Sequence, residues 1–262
     1  MAGTLIIAGS GIKAVGHLTA DACHWIRSAD KVLHVVADAV TERAILEMNP
    51  RAESMRALYG EDRRRRATYD AMVNRILAEV RTDAVVCAVF YGHPGVFVAP
   101  SHEAIHRARA EGHTALMLPG ISAEDCLIAD LGLDPARIGW HTFEATDFLI
   151  HRRAFDPASP MVLWQIGAIG NLGLQKGGFG RRGLAMLIDV LGKTYGLDHE
   201  VVVYEAAVMP TCDSVIHRAP LGRLLDAPVT TLATLYVPPC KRAALDLEMV
   251  AALGLSPSDF GH

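Results

Sequence analysis

Three side chains of this sequence could do proton chemistry together. They lie in Leu58-Tyr59-Gly60-Glu61-Asp62-Arg63-Arg64-Arg65-Arg66-Ala67-Thr68-Tyr69. Arg65 and Tyr69 are four residues apart, so a helix puts them on one face, and Tyr59 stands just ahead, able to fold back over that face. A guanidinium beside two phenols can lower a phenol pKa or hold a developing anion. By pattern alone, a solvated basic helix with Tyr69 half-buried accounts for the stretch at least as well. A second chemical cluster is Phe90-Tyr91-Gly92-His93-Pro94-Gly95-Val96-Phe97, directly after the apolar run at 83–89. A buried strand followed by this turn carries a phenol, an imidazole and flexible backbone to the strand's carboxyl end, where open α/β sheets bind small ligands. Gly92 and Gly95 permit positive φ and Pro94 fixes one φ, although an isolated turn of this kind is as readily structural.

Other catalytic signatures are weak. Gly9-Ser10-Gly11 has Ala14 where a dinucleotide fingerprint has its third glycine, and only Asp38 stands near the position of the acidic ribose partner. Of the 12 histidines, His102, His106 and His113 lie on a predicted surface helix and the turn after it, without metal-protease spacing. Gly120-Ile121-Ser122-Ala123-Glu124 lacks the second glycine of a nucleophile elbow. The five cysteines (Cys23, Cys87, Cys126, Cys212, Cys240) are scattered and unpaired by motif, which argues against a disulfide scaffold or zinc ribbon. No metal is expected.

The elements that must position these residues follow from periodicity. Strands are expected at 4–8, 31–36, 83–90, 115–118, 161–166, 200–205 and 230–237. Helices are expected after a Thr19 N-cap, with Ala22, Ile26 and Ala29 at helical spacing, and at 38–48, 66–80, 100–111 and 182–191. This alternation predicts βαβ units and a parallel sheet. The glycine-rich stretch 167–183 is expected to be a mobile loop. The expected organisation is an N-terminal α/β subdomain at 1–120, a C-terminal one at 121–240, and a tail at 241–262 with one short helix and a polar end.

With 262 residues, 51% apolar and 21% charged, the chain is long and apolar enough for a substantial core. A net charge of −4 argues against a nucleic-acid partner. The N-terminal apolar run is too short for a signal peptide, and no stretch has the length of a membrane span. A soluble cytoplasmic protein with no membrane partner is expected.

Tyr91-Gly92-His93-Pro94-Gly95-Val96-Phe97 together with Leu118-Pro119-Gly120-Ile121-Ser122-Ala123-Glu124-Asp125-Cys126-Leu127 resembles the tetrapyrrole-methylase superfamily, as do Gly9-x-Gly11, Leu18-Thr19 and Ala29-Asp30. The resemblance covers roughly residues 4 to 238. It implies an S-adenosylmethionine-dependent methyltransferase of two α/β domains, with a parallel-rich first sheet, a mixed second sheet and the active site between them. Porphyrin and corrin methylases usually carry Gly-x-Gly-Pro-Gly-Asp and Gly-Asp-Pro; here Pro-Gly-Asp is missing and His93 replaces the aspartate. Those departures resemble the borosin peptide α-N-methyltransferases, as do Glu144-Ala145-Thr146-Asp147-Phe148-Leu149, Leu163-Trp164-Gln165 and Thr234-Leu235-Tyr236-Val237-Pro238-Pro239. The spacing of Tyr59, Arg65 and Tyr69 matches the catalytic tyrosine–arginine–tyrosine set of that group, which turns the reading of the basic helix towards catalysis.

By the same resemblance, cofactor contacts fall on Tyr91, His93, Val96, Ala123, Gln165, Ala206, Ala233 and Thr234. The implied substrate is a ribosomally made precursor peptide. Because 23 residues follow Pro239 and they end in a polar Pro257-Ser258-Asp259-Phe260-Gly261-His262, the expectation is a separate precursor chain rather than a fused one. A homodimer is implied as well. Methylation of a corrin or porphyrin precursor is the alternative. An amide nitrogen is a poor nucleophile because its lone pair is delocalised into the carbonyl. The expectation is therefore that Tyr69, its pKa lowered by Arg65, takes the amide proton, while Arg65 or Tyr59 holds the oxygen of the imidate-like anion.

Overall fold

The computed structural model describes residues 2–59, 65–171 and 180–260. In chain order the elements are β1 (Thr4–Gly9), α1 (Ala20–Ser28), β2 (Lys31–Val35), α2 (Ala39–Met48), β3 (Ala52–Ser54), α3 (Arg65–Val80), β4 (Val85–Phe90), α4 (Ala99–Ala110), β5 (Thr114–Met117) and α5 (Ala123–Leu131). They continue with β6 (His141–Glu144), α6 (Ala145–Ile150), β7 (Met161–Trp164), α7 (Arg181–Tyr195), β8 (Glu200–Glu205), β9 (Val215–Pro220), β10 (Thr234–Val237) and α8 (Leu247–Ala252).

The first sheet has the order β3-β2-β4-β1-β5, and every pairing in it is parallel. Its central strands are unbroken apolar runs because both faces are covered. Alternate residues serve opposite faces. Ile6, Ala8, Cys87 and Val89 pack with Ala22 and Ile26 of α1 and Ile45 of α2. Leu5, Ile7, Val86 and Ala88 pack with α3 and with Ala104, Ile105 and Ala108 of α4. Burying each of these branched side chains is worth about 1.5–3 kcal/mol. Adjacent strands β1 and β4 therefore feed helices on opposite faces, which makes the carboxyl edge between them a topological switch point, the place where doubly wound sheets bind ligands.

The second sheet is mixed, in the order β6-β7-β10-β8-β9: β6 pairs parallel with β7, and β10 antiparallel with β7. Its core gathers Leu163, Leu184, Leu187, Leu191, Val201, Val203 and Leu235 with Phe148. An aromatic series runs alongside, Phe143 to Phe148 to Phe155 to Tyr195, with successive ring centroids 5.5, 5.7 and 5.8 Å apart. The fold class is thus the expected α/β one, with a parallel first sheet and a mixed second.

The described residues fall into two compact units, one drawn from Met1–Asp134, Gly170–Gly178 and Tyr204–Ile216, the other from Pro135–Ile169, Phe179–Val203 and His217–His262. This division differs from the expected 120/121 boundary in a definite way. Helix α5 stays with the first unit, and the segment after β8 returns to it, because the Tyr204 hydroxyl donates to Asp130 of α5 at 2.7 Å.

Several expected elements are corrected. The strand predicted over 83–90 starts at Val85, because Asp83 has φ +63 in the preceding turn. The strand predicted over 230–237 is only β10; residues 230–233 form a turn in which the Ala233 amide donates to Thr230 O at 3.2 Å. The strand predicted over 161–166 ends at Trp164, because Gln165 turns left-handed at φ 58. Of the loop predicted over 167–183, residues 172–179 lie outside the described residues, and α7 already begins at Arg181. The tail expected at 241–262 carries its one short helix as α8, which exposes Leu247 and Met249. Among the described residues no helix is long and apolar enough to cross a membrane, and no cluster of ligating side chains could hold a metal ion.

Candidate functional site

In the first unit the candidate residues collect at the carboxyl edge of the parallel sheet. Three loops meet there, after β1, β4 and β5. Gly11 and Gly92 form an antiparallel bridge, the Gly11 amide donating to Gly92 O at 3.2 Å and the Gly92 amide to Gly11 O at 3.0 Å. Gly92 takes φ +73, open to glycine without a Cβ penalty. A Cβ on Gly9 would stand 2.3 Å from Gly92 O, and one on Gly95 2.7 Å from Met117 Sδ. The loops therefore approach backbone to backbone.

Within the β4 turn, His93 Nδ1 accepts from the Gly95 amide at 3.0 Å, while His102 Nε2–H of α4 donates to Gly95 O at 2.9 Å. Two imidazoles thus pin one residue from both sides. His93 accepting at Nδ1 places its proton on Nε2, which leaves it a donor. Burial, with Cys126, Glu205 and Asp38 adding to it, pushes the Tyr91 phenol up to about 12, so it too is an uncharged donor. Val96 is exposed, and so is Phe97, a bulky residue at φ 58 and a place where backbone strain is held. The β5 loop closes on the turn: a Cβ on Gly120 would meet Pro94 Cδ at 3.0 Å. Ala123 opens α5 behind a capping box, Ser122 Oγ accepting from the Asp125 amide and the Asp125 carboxylate accepting from the Ser122 amide.

The same unit brings Tyr59, Arg65 and Tyr69 together. Tyr59 ends the 3-10 turn Arg56–Leu58, its amide donating to Arg56 O at 3.0 Å. Arg65 and Tyr69 stand one turn apart on α3, with Tyr69 packed against the core. The Arg65 guanidinium also reaches Asn171 O at 3.5 Å. Residues 60–64, including Arg63 and Arg64 of the basic cluster, lie outside the described residues. At Tyr59 the neighbouring guanidiniums are outweighed. Burial first, then the neighbouring Tyr69, raises its pKa, against the opposing pull of Arg65 and Arg56. Tyr59 is a hydrogen-bond donor rather than a base.

In the second unit, Gln165, Ala233 and Thr234 form a second cluster. Pairing of Leu235 with Leu163 carries Ala233 to the level of Gln165, and the Ile166 amide donates to Ala233 O at 3.0 Å. Gln165 holds φ 58 and ψ 39, a left-handed conformation unusual for a side-chain-bearing residue. The turn is tight, since a Cβ on Gly167 would stand 1.9 Å from Thr230 O. Ala233 and Thr234 are buried. Ala206, the remaining candidate, follows β8 in the segment that belongs to the first unit. In the first unit the donor set is uncharged, with phenol and imidazole N–H beside small apolar side chains, and this fits a nucleoside-bearing cofactor.

Sequence reasoning missed the side chains that tie loops together over long separations, His17, His102, Asp130 and Ser214. No local pattern marks them; only the Ser122-x-x-Asp125 cap had a readable signature.

Comparison with known proteins follows this geometry. The family profile of the Tetrapyrrole (Corrin/Porphyrin) Methylases matches residues 4–225. The "Methyltransferase/ribosomally synthesized cyclic peptide dendrothelin A precursor" of Dendrothele bispora is 40% identical over 260 residues, covering 98% of this chain and 62% of that protein. The omphalotin A counterpart of Omphalotus olearius is 41% identical over 261 residues, covering 98% and 63%. A "type I borosin cyclic peptide precursor" methyltransferase of Coprinopsis marcescibilis is 41% identical over 271 residues, covering 98% and 68%. This chain thus spans about two thirds of the length of those relatives, whose names join methyltransferase and precursor in one protein. That gives no support to the expected separate precursor chain. Among solved structures, uroporphyrin-III-C-methyltransferase from Thermus thermophilus shares the fold with a TM-score of 0.64 at 18% identity, covering 97% of each chain. A β4–β5 glycine edge on a parallel sheet, a profile reaching from the first sheet into the second and relatives near 40% identity agree: the chain belongs to the tetrapyrrole (corrin/porphyrin) methylase family, on the branch of the borosin-type methyltransferases.

Proposed function

We propose that this protein transfers methyl groups from S-adenosylmethionine to backbone amide nitrogens of a ribosomally made precursor peptide. The observation that carries this reading is the juxtaposition of Tyr59, Arg65 and Tyr69 in a chain about 40% identical, nearly end to end, to methyltransferases joined to cyclic-peptide precursors. Tyr91, His93, Val96, Ala123 and Ala206 of the first unit, and Gln165, Ala233 and Thr234 of the second, are the residues assigned to hold the cofactor. S-adenosylmethionine would supply an electrophilic methyl group on a sulfonium.

The protein's own residues act on the amide. Acting as a phenolate, Tyr69 would receive the proton from the amide nitrogen, directly or through a water, while the nitrogen takes the methyl carbon and the carbon–sulfur bond breaks, its electron pair returning to sulfur. Tyr59, kept protonated by burial, donates to the amide oxygen as negative charge develops there, and Arg65 stabilises that charge electrostatically. Holding the peptide amide in line for attack contributes on the order of 7–11 kcal/mol. The function includes a homodimer that encloses the peptide; a sedimentation mass of a single 28.2 kDa chain at micromolar concentration would contradict this.

The first test mixes the protein with S-adenosylmethionine and an apolar Val/Ile-rich peptide and follows S-adenosylhomocysteine release. The peptide is offered either free or joined to the carboxyl end of the protein. Turnover with the joined peptide and little with the free one identifies the fused arrangement of the relatives; comparable turnover with both identifies a separate precursor. No turnover with either contradicts the function.

A further inference from the structure

Asp130 occupies a place that the proposed chemistry does not use. It lies near the end of α5, exposed to solvent, seven residues beyond Ala123. That spacing puts Ala123 and Asp130 on the same helix face. A single carboxylate oxygen, Oδ2 of Asp130, accepts from the Tyr204 hydroxyl at 2.7 Å and from the Ser214 hydroxyl at 2.6 Å. Both are short, charge-assisted bonds. Tyr204 closes β8 and is buried, 1% exposed; Ser214 precedes β9. The nine residues between them, Ala206 included, form a loop whose two ends meet at one oxygen atom.

The loop is tied at two further points. The Ala207 amide donates to Ser214 Oγ at 3.2 Å, which closes the neck beside Ala206. The Ala14 amide, in the loop after β1, donates to Val208 O at 2.7 Å. Chain connectivity alone would leave this segment free to move, since a loop of this length costs little to displace. Three side chains separated by 74 and 84 residues in sequence hold it instead. Burial and the Asp130 carboxylate both raise the Tyr204 pKa, so this phenol stays a donor across the working pH range.

We infer that Asp130 is a positioning residue for the cofactor: through Tyr204 and Ser214 it fixes the segment carrying Ala206 to the helix face carrying Ala123. The inference rests on the assignment of Ala123 and Ala206 as cofactor contacts. Asp130 itself has no part in proton transfer, so its loss should weaken cofactor binding and leave the chemical step alone.

The test measures S-adenosylhomocysteine affinity by calorimetry and KM and kcat for S-adenosylmethionine, in the full chain and in Asp130→Ala, Asp130→Asn and Ser214→Ala. Asp130→Ala should weaken affinity and raise KM roughly tenfold, the worth of about one charge-assisted hydrogen bond, with kcat within about threefold. Asp130→Asn keeps an acceptor oxygen and should recover most of the affinity. Ser214→Ala, an exposed change that leaves the Tyr204 bond, should produce a smaller shift of the same kind; it also serves if Asp130→Ala does not fold. Affinity and KM unchanged in Asp130→Ala and Ser214→Ala would overturn the inference, as would a loss confined to kcat or to melting temperature. If the unaltered protein binds no S-adenosylhomocysteine, the cofactor assignment itself fails and this inference with it; binding by the unaltered protein with no change in the variants sinks the inference alone.

Discussion

The two candidate cofactor clusters are built by opposite means. At the carboxyl edge of the parallel sheet, three loops approach through glycine backbone: Gly9 has no room for a side chain against Gly92 O, Gly92 holds a positive φ, and His93 and His102 pin Gly95 on both sides. In the mixed sheet there is one seam. Strand pairing between β7 and β10 forces Gln165 into a left-handed conformation that its side chain disfavours. The first region removes side chains where backbones meet and carries its strain beyond them, at Phe97; the second bears the strain at the seam itself. A residue held at a cost of this order, about 1–2 kcal/mol, points to a use for the Gln165 side chain, whereas the glycines of the first edge are required by packing at Gly9 and by positive φ at Gly92.

That contrast can be broken, starting with the largest expected effect. Arg65→Ala and Tyr69→Phe should each lower kcat by roughly 100-fold or more, the range seen when a group stabilising developing charge is removed. S-adenosylhomocysteine affinity should stay close to that of the unaltered protein, because neither residue belongs to either cofactor cluster. Near-normal turnover in both variants would remove the tyrosine–arginine pair from the chemistry.

Next comes the pair that sets the two regions against each other. Gly9→Ala pushes a methyl group to 2.3 Å from Gly92 O, so the bridge between the β1 and β4 loops must open. Overpacking of this kind costs about 1–3 kcal/mol and should lower both melting temperature and cofactor affinity. Gln165→Gly should do the reverse for stability: it relieves the left-handed strain, so melting temperature should hold or rise while cofactor affinity falls. If Gln165→Gly lowers stability as Gly9→Ala does, the strain argument for the seam is wrong.

A smaller effect concerns acid. His17 Nδ1 accepts from the Ile12 and Lys13 amides at 3.3 and 3.1 Å and so staples the loop after β1. Burial, assisted by Lys13 and opposed by Asp125 of α5, lowers its pKa from 6.5. The folded protein therefore resists protonating it, and its contribution to stability is complete above pH 6.5 and is lost as the pH falls through the lowered value. Thermal melts should be flat in pH above that point and decline below it. Buried His34, lowered from 6.5 mainly by burial, adds to the same slope. His17→Asn keeps an acceptor that does not titrate, so its melting temperature should depend less on pH in this range; an unchanged slope would show that the His17 staple does not govern the loop.

Much of the first region could be read from the sequence. The runs of β1 and β4 are continuously apolar because both faces are covered, and the turn after β4 announces itself by Gly-His-Pro-Gly. The mixed sheet was harder. Thr230 to Thr234 is rich in β-branched residues and reads as strand, yet the chain turns there so that Ala233 O can accept from Ile166. Strand β9 carries His217 and Arg218 on an exposed run, with no apolar alternation to mark it. Helix α5 has a capping box at Ser122 but few residues at core spacing, only Leu127 being buried. The candidate site residues came from resemblance, not from any periodic signal. Their supports, His17, His102 and Asp130, act across loops and leave no periodic trace.

The most direct test of the account is to locate the methyl group. A Val/Ile-rich peptide, joined to the protein or added to it with S-adenosylmethionine, is digested and fragmented in a mass spectrometer. The account predicts added methyl masses on fragments that assign them to backbone nitrogens, absent when Tyr69→Phe replaces the unaltered protein. Methyl groups found only on side chains or termini, or no methylation of the peptide at all, would contradict it.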